Sequence, residues 1–212
     1  MKVRKISLAI TLLSLGSFSI ASLAAAQYHT LQGNPDGLYR IDPAHSGAYF
    51  TIGHVGITEL TGRFNQISGT YRFDVQDPAK DRVDITIPVA SIDTDNPARD
   101  AILRSSQFFA AKKYPDIRFV GSSYRATGAK TGLLTGKLSF HGVTHSVTFR
   151  VQEIGAGDVS YLPKPWGGYL SGYVARTTIE RSHYGLLAYL PQGLSNRIKI
   201  KVEIEGKRIG PA

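Results

Sequence analysis

The sequence predicts an all-β fold: a single antiparallel β-barrel of about eight strands with one short capping helix. Three observations carry this. Apolar residues recur with a period of two in segment after segment. Turn formers are abundant, with 22 Gly and 10 Pro among 212 residues. Only one stretch carries the start and stop signals of a helix.

The clearest strand is RIKIKVEIE, in which Ile198, Ile200, Val202 and Ile204 alternate with Lys199, Lys201 and Glu203. Successive strand side chains point to opposite faces, so this is one apolar face and one wet face. Val83, Ile85, Ile87 and Val89 alternate with Asp84 and Thr86 in the same way. Leu134, Leu138 and Phe140 share a parity opposite Thr135, Lys137 and Ser139, and after a turn centred on Gly142 the pattern resumes with Val147, Phe149 and Val151. That pair reads as a hairpin. Further strands are expected at 39–41, 48–54, 62–75, 117–126 and 168–179. About eight strands, each with one wet face, must stack or close on themselves, and a closed ring of that size is plugged by side chains or holds one small ligand.

In DTDNPARDAILRSSQFFAAKKYP, Asn96 is placed as an N-cap, Pro97 takes the first helical position and Pro115 closes the segment. A helix over 97–105 is expected, and after it a loop carrying Phe108 and Phe109.

The first 26 residues read as a leader. Lys2, Arg4 and Lys5 precede the apolar run ISLAITLLSL, and Ala24 and Ala26 offer an A-x-A cleavage site before Gln27. A membrane anchor from Ile6 to Leu23 is the rival reading, but Gly16 and six Ser or Thr interrupt those 18 residues. The expectation is a signal peptide over 1–26 and one domain over 27–212, exported to a periplasm or beyond. Loss of the leader removes three of the 25 basic residues and leaves 22 against 16 acidic, a net charge of +6. The basic residues are spread along the chain, as a solubilising surface requires.

Composition also excludes. With 42% hydrophobic and 19% charged residues the chain is globular, neither disordered nor a coiled coil. It has no cysteine, which removes disulfides, thiol nucleophiles, Cys-ligated zinc and iron–sulfur clusters. The nucleophile-elbow, zincin, P-loop and dinucleotide motifs are absent. Asp42, His45 and Ser46 lie together in IDPAHS, but sequence closeness does not make a triad, and these residue types punctuate a turn. His141 and His145 flank the hairpin turn and supply two ligands where zinc takes three or more from protein. His54 ends an apolar strand and is read as a hydrogen-bonding residue near the barrel rim. No catalytic and no metal-binding residue is expected.

YRIDPAHSGAYFTIGHVG, GRFNQISGTYRFD, SIDTDNPARDAILRSSQFFAAKKYPDIRF, LLTGKLSFHGVTHSVTFRV and TTIERSHYGL, taken in order, resemble the YceI-like lipid/polyisoprenoid-binding family from about Leu38 to Glu205. The sequence departs from that pattern at His145, where the family often has a basic residue followed by proline, and in GAGDVSYLPKPWGGY, which holds the lone tryptophan. The resemblance implies an extended lipocalin-like barrel with an apolar tunnel, binding polyprenyl chains, isoprenoid quinones or fatty-acid-like amphiphiles, without catalytic activity. On that reading the tunnel wall is Phe50, Phe64, Ile85, Ile87, Phe119, Leu138, Phe140, Phe149, Ile200 and Val202. The lid or mouth is Leu103, Phe108, Phe109 and Trp166, and Arg99, Arg181 and Tyr184 are the head-group candidates.

The expected ligand is a long-chain isoprenoid or quinone-like lipid, with no cofactor required. A transient membrane contact and a homodimer are compatible with this reading; nucleic acid is not. Two other classes compete. One is a periplasmic stress-response or protein-interaction module with a filled barrel. The other is a hydrolase using His45 or His183.

Overall fold

A computed structural model describes residues 30–212, and the expected leader at 1–26 lies outside the described residues. The strands in chain order are β1 (Gly37–Ile41), β2 (Gly47–His54), β3 (Thr58–Phe64), β4 (Ser68–Phe73), β5 (Arg82–Pro88) and β6 (Ile92–Asp93). The helix α1 (Pro97–Arg104) comes next, then β7 (Asp116–Gly128), β8 (Thr131–Phe140), β9 (Val143–Asp158), β10 (Tyr169–Glu180) and β11 (Leu194–Gly210). All pairings between these strands are antiparallel.

Eight of them, in the order β1-β4-β5-β7-β8-β9-β10-β11, close into a ring because β11 also pairs with β1. The 17 residues of β11 make this closure. One edge bonds β10 from Arg197 to Lys207. The other bonds β2 from Leu194 to Glu203 and then β1 from Gly206 to Gly210. The β1–β2 corner is fastened where the two partners part. The Asp42 N–H donates to the Glu205 carbonyl at 2.8 Å, and the Ser46 hydroxyl accepts the Glu205 N–H at 3.0 Å while donating to its carbonyl at 3.3 Å. Beyond this fork, β2, β3 and β6 extend the sheet on the side of the barrel that α1 covers.

The stretch expected as one strand over 62–75 is two strands, β3 and β4, separated by residues 65–67. Phe64 is buried at an even position, whereas Ile67 and Tyr71 are buried at odd ones. The parity switch requires a break in the ladder, because one extra residue turns every later side chain to the opposite face. Asn65 holds the break, donating its backbone N–H to the Ser91 carbonyl at 2.8 Å and its side-chain amide to Asp93 at 2.9 Å.

The hairpin between β8 and β9 turns on His141 and Gly142, both at positive φ (52° and 78°), the conformation of the tight turns that match strand twist. The α1 helix begins on Asn96, whose side chain accepts the Arg99 N–H at 3.0 Å. Arg104 lies in its last turn, favourable to the helix dipole. Asp100 is buried and accepts the backbone N–H and hydroxyl of Thr94, which ties the helix to the end of β6. No helix among the described residues is long and apolar enough to cross a membrane.

Gly69 sits in β4 at φ +142°, opposite Ile85, and a Cβ there would collide with the Asp84 carbonyl oxygen. Gly69→Ala is therefore expected to lower stability by about 1–3 kcal/mol or more, as for other strained backbone sites. A urea denaturation series would measure the loss, and an unchanged midpoint would contradict the β4–β5 register.

Candidate functional site

The strands send their apolar rows inward, and the rows do not fill the space between them. The ring encloses an elongated, almost wholly apolar cavity of about 240 Å³. Phe50, Phe64, Ile85, Ile87, Phe119, Leu138, Phe140, Phe149, Ile200 and Val202 all line it. They come from β2, β3, β5, β7, β8, β9 and β11, so nearly every wall contributes. Small residues share the inner face with them: Ala48 and Ala175 line the cavity, and at Gly136 a side chain would meet the Phe119 ring. Large rings occupy the places that small residues leave, and the axis stays open.

The end covered by α1 is built of phenylalanines. Phe50 and Phe64 have ring centroids 5.9 Å apart, Phe64 and Phe109 6.3 Å, and Phe109 and Phe140 5.4 Å. Phe108 and Phe109 reach the lumen because the chain folds back after α1, with the Phe109 N–H donating to the Leu103 carbonyl at 3.0 Å and the Ala110 N–H to that of Ser105 at 2.8 Å. Leu103, Phe108 and Phe109 line the cavity. Trp166 does not: it lies outside the lining and is 54% exposed.

The three residues expected at a head group have different surroundings. Arg99 lines the cavity and donates from Nε to the Thr94 hydroxyl at 2.8 Å and from Nη2 to the Thr94 carbonyl at 2.6 Å. Arg181 also borders it, but its guanidinium is spent on the backbone. Nε, Nη1 and Nη2 donate to the carbonyls of Ser195, Leu186 and Leu194 at 2.9, 2.7 and 3.1 Å. Burial lowers the pKa of this guanidinium, and its geometry is that of a strut holding the chain between β10 and β11. Tyr184 is buried outside the lining, against the His145 ring at 5.1 Å and the Phe140 ring at 5.5 Å.

The opposite end is built of tyrosines and one carboxylate. Tyr71, Tyr124, Tyr173 and Asp81 line the cavity there, around Phe73. Tyr71 and Tyr173 meet edge-to-face at 5.6 Å, as do Phe73 and Tyr124. The Tyr71 hydroxyl is bonded to the Ser171 hydroxyl and carbonyl at 2.7 and 3.1 Å. Burial raises the Tyr71 and Tyr173 phenols well above their ordinary range. It also pushes the Asp81 carboxyl up to about 6, with the neighbouring Asp74 and Asp36 carboxylates adding to the rise. None of these four was a site candidate from the sequence. The parity was present for Asp81, which stands two residues before Val83 on the row that continues through Ile85 and Ile87.

Three of the histidines, His45, His141 and His145, have local hydrogen-bond partners, and the His183 ring lies 3.4 Å from the Glu180 carboxylate. His141 and His145 pair with the backbone carbonyls of Tyr184 and His183 at 2.9 and 3.0 Å. The His45 ring bonds Asp42 at 2.9 Å, which raises the His45 pKa, while the Ser46 hydroxyl is engaged with the Glu205 backbone. The IDPAHS segment is thus a fastened corner, with no hydrogen bond between Ser46 and His45 to make a nucleophile. Asp42, His45 and Glu205 are the one grouping of three ligand-type side chains found among the described residues, with His45 exposed and the carboxylates half-buried.

The YceI-like domain description matches residues 39–206. A UPF0312 protein of Pseudomonas aeruginosa is 35% identical over 172 residues, covering 80% of this chain and 86% of its own length. Among solved structures, Burkholderia cenocepacia BcnA superimposes with a TM-score of 0.69 at 23% identity, over 78% of this chain and 98% of its own. A polyisoprenoid-binding domain from Saccharophagus degradans, implicated in plant cell wall breakdown, superimposes with a TM-score of 0.57 at 16% identity, over 80% and 98%.

Asp81 makes a pH dependence testable. Its folded pKa of about 6 lies above its ordinary value of 3.8, so the native state holds a proton that the unfolded chain releases. Stability relative to Asp81→Asn therefore falls as pH rises from about 4 through about 6, and is level above that window. Urea midpoints of the two proteins across pH 4 to 8 check this, and a difference independent of pH would contradict the buried, cavity-facing carboxyl.

Proposed function

The chain belongs to the YceI-like domain family, and from that premise we propose that it is a periplasmic binding or carrier protein. Its cargo would be a polyisoprenoid, an isoprenoid quinone or a similar long-chain amphiphile held in the barrel lumen. The observation that carries this reading is the shape and chemistry of the cavity. On β11 it is lined from Leu194 to Ile204, ten residue steps or about 33 Å of strand at ~3.3 Å each. The cavity, about 240 Å³, is narrow for its length, so its occupant is slender. Between the two ends the lining is hydrocarbon and aromatic ring. A polar metabolite would lose its water there without recovering hydrogen bonds, whereas an apolar chain gains about 25 cal/mol for each Å² removed from water.

Two further points support the same reading. The Saccharophagus degradans domain of the same fold binds polyisoprenoids, the ligand class that suits an apolar tube. The leader features of residues 1–26 suit export to the periplasm, where membrane lipids must cross an aqueous space. No catalytic step and no cofactor are needed for such a role. The open axis favours carriage over a filled barrel acting only as an interaction scaffold, because a scaffold gains nothing from an unfilled interior.

Organic-solvent extraction of natively purified protein, with mass spectrometry of the extract, is expected to release a long-chain lipid in near-stoichiometric amount. Val151 lines the lumen, and Val151→Trp is expected to cut uptake of an added polyprenol at least tenfold while leaving the β-sheet circular dichroism signal in place. Overpacking of this kind costs about 1–3 kcal/mol. Repeated recovery of protein without lipid, together with no uptake by the unsubstituted protein, would overturn the carrier reading.

A further inference from the structure

The two ends of the lumen differ in what they leave unbonded. Asp81 is 8% exposed. Its Oδ1 accepts the Asp74 N–H at 2.8 Å, but its Oδ2 is fully buried and has no hydrogen-bond partner among the described residues. The Tyr173 hydroxyl is buried and unpartnered in the same way; so is that of Tyr184, which lies outside the lining. Both side chains line the tyrosine-rich end of the cavity. Of the other polar groups nearby, Tyr71 is bonded to Ser171 and Glu153 is paired with Lys130 at 3.4 Å, while Tyr124 and Arg72 also border this end. Buried polar atoms in folded proteins almost always find a partner. Two orphans at one end of one apolar cavity are the complement of a polar head.

We propose that Asp81 and Tyr173 form the head-group subsite of the lumen, and that the subsite selects an amphiphile whose head is an uncharged hydrogen-bond donor, a primary alcohol or amide, over one ending in phosphate. The proposal rests on the reading of the lumen as a lipid site. A carboxylate oxygen accepts hydrogen bonds, so its complement is an O–H or N–H. The phenol can then accept from, or donate to, the same head. A phosphate would face Asp81 with the Asp74 and Asp36 carboxylates close behind it, and like charges in a poorly hydrated pocket repel strongly. Arg82 beside Asp81, Arg72 on the lining and Lys80 paired with Asp74 offset only part of that repulsion. This fixes the orientation: the head lies against Tyr173 at the β5 start, and the tail runs toward Phe109 under α1. Of the arginines on the lining, Arg72 on β4 stands at this end beside Tyr71 and Phe73, whereas Arg99 and Arg181, the head-group candidates from the sequence, stand elsewhere.

The test compares three probes with one C20 prenyl skeleton: geranylgeraniol, its monophosphate and the parent hydrocarbon, each titrated into full-length processed protein stripped of lipid. The alcohol is expected to bind about tenfold more tightly than either of the others, the worth of one buried hydrogen bond. Asp81→Asn keeps an oxygen for the Asp74 N–H and puts an N–H donor where Oδ2 stood; the alcohol can then only accept there and loses its bond to a charged acceptor, so its preference should fall to about threefold. Tyr173→Phe should reduce it part-way, and in both variants the hydrocarbon should bind within about twofold of its original affinity. Equal binding of alcohol and hydrocarbon, an undiminished preference in Asp81→Asn, or tighter binding of the monophosphate would overturn the subsite while leaving the lumen reading intact. Failure of all three probes to bind would overturn the lumen reading, and the subsite with it.

Discussion

Closure of the sheet by β11 is the constraint on which the rest depends. An open antiparallel sheet leaves a row of unpaired N–H and C=O groups at each edge, and closing it into a ring removes those edges. Here one strand meets three partners, β10 along one side and β2 then β1 along the other. The fork is held at Glu205 by Asp42 and Ser46, so these residues fix the shape of the barrel at its corner. Once the ring is closed, alternation along each strand fixes which side chains face the axis. An eight-stranded ring has an interior that side chains fill or that holds one small ligand. The balance between large and small inward residues decides which.

In this chain the balance leaves room. Alanines at 48 and 175 and glycine at 136 stand among inward phenylalanines, and rings that would meet across the axis lean into the spaces beside the small residues. The Phe119 and Phe149 rings, for example, pack edge-to-face at 5.1 Å along the wall. The lumen is also graded. Its α1 end is phenylalanine and aliphatic, and its other end carries phenol hydroxyls and a carboxyl. That gradient is the profile of an amphiphile, apolar along its length and polar at one tip.

Much of this was legible in the sequence, because a period of two is a direct statement about geometry. The ten residues assigned to the wall by parity and resemblance all face one cavity. The break between β3 and β4 was written in the same signal, as the shift from Phe64 to Ile67, but it is visible only when parity is traced through the segment. Arg181 shows the limit. Sequence displays its charge but not the three carbonyls, from Leu186, Leu194 and Ser195, that absorb it, because those contacts form only when the chain after β10 folds back. Asp81 was hidden for the opposite reason. Coming after Asp77 and Pro78, it reads as part of a polar turn, and only the strand it opens shows that its side chain faces inward.

A crystal structure of protein purified without any delipidation step tests the account most directly. The account predicts continuous elongated density along the lumen from Phe109 to Tyr173, with its broader end against Asp81. A lumen closed by its own side chains would contradict it.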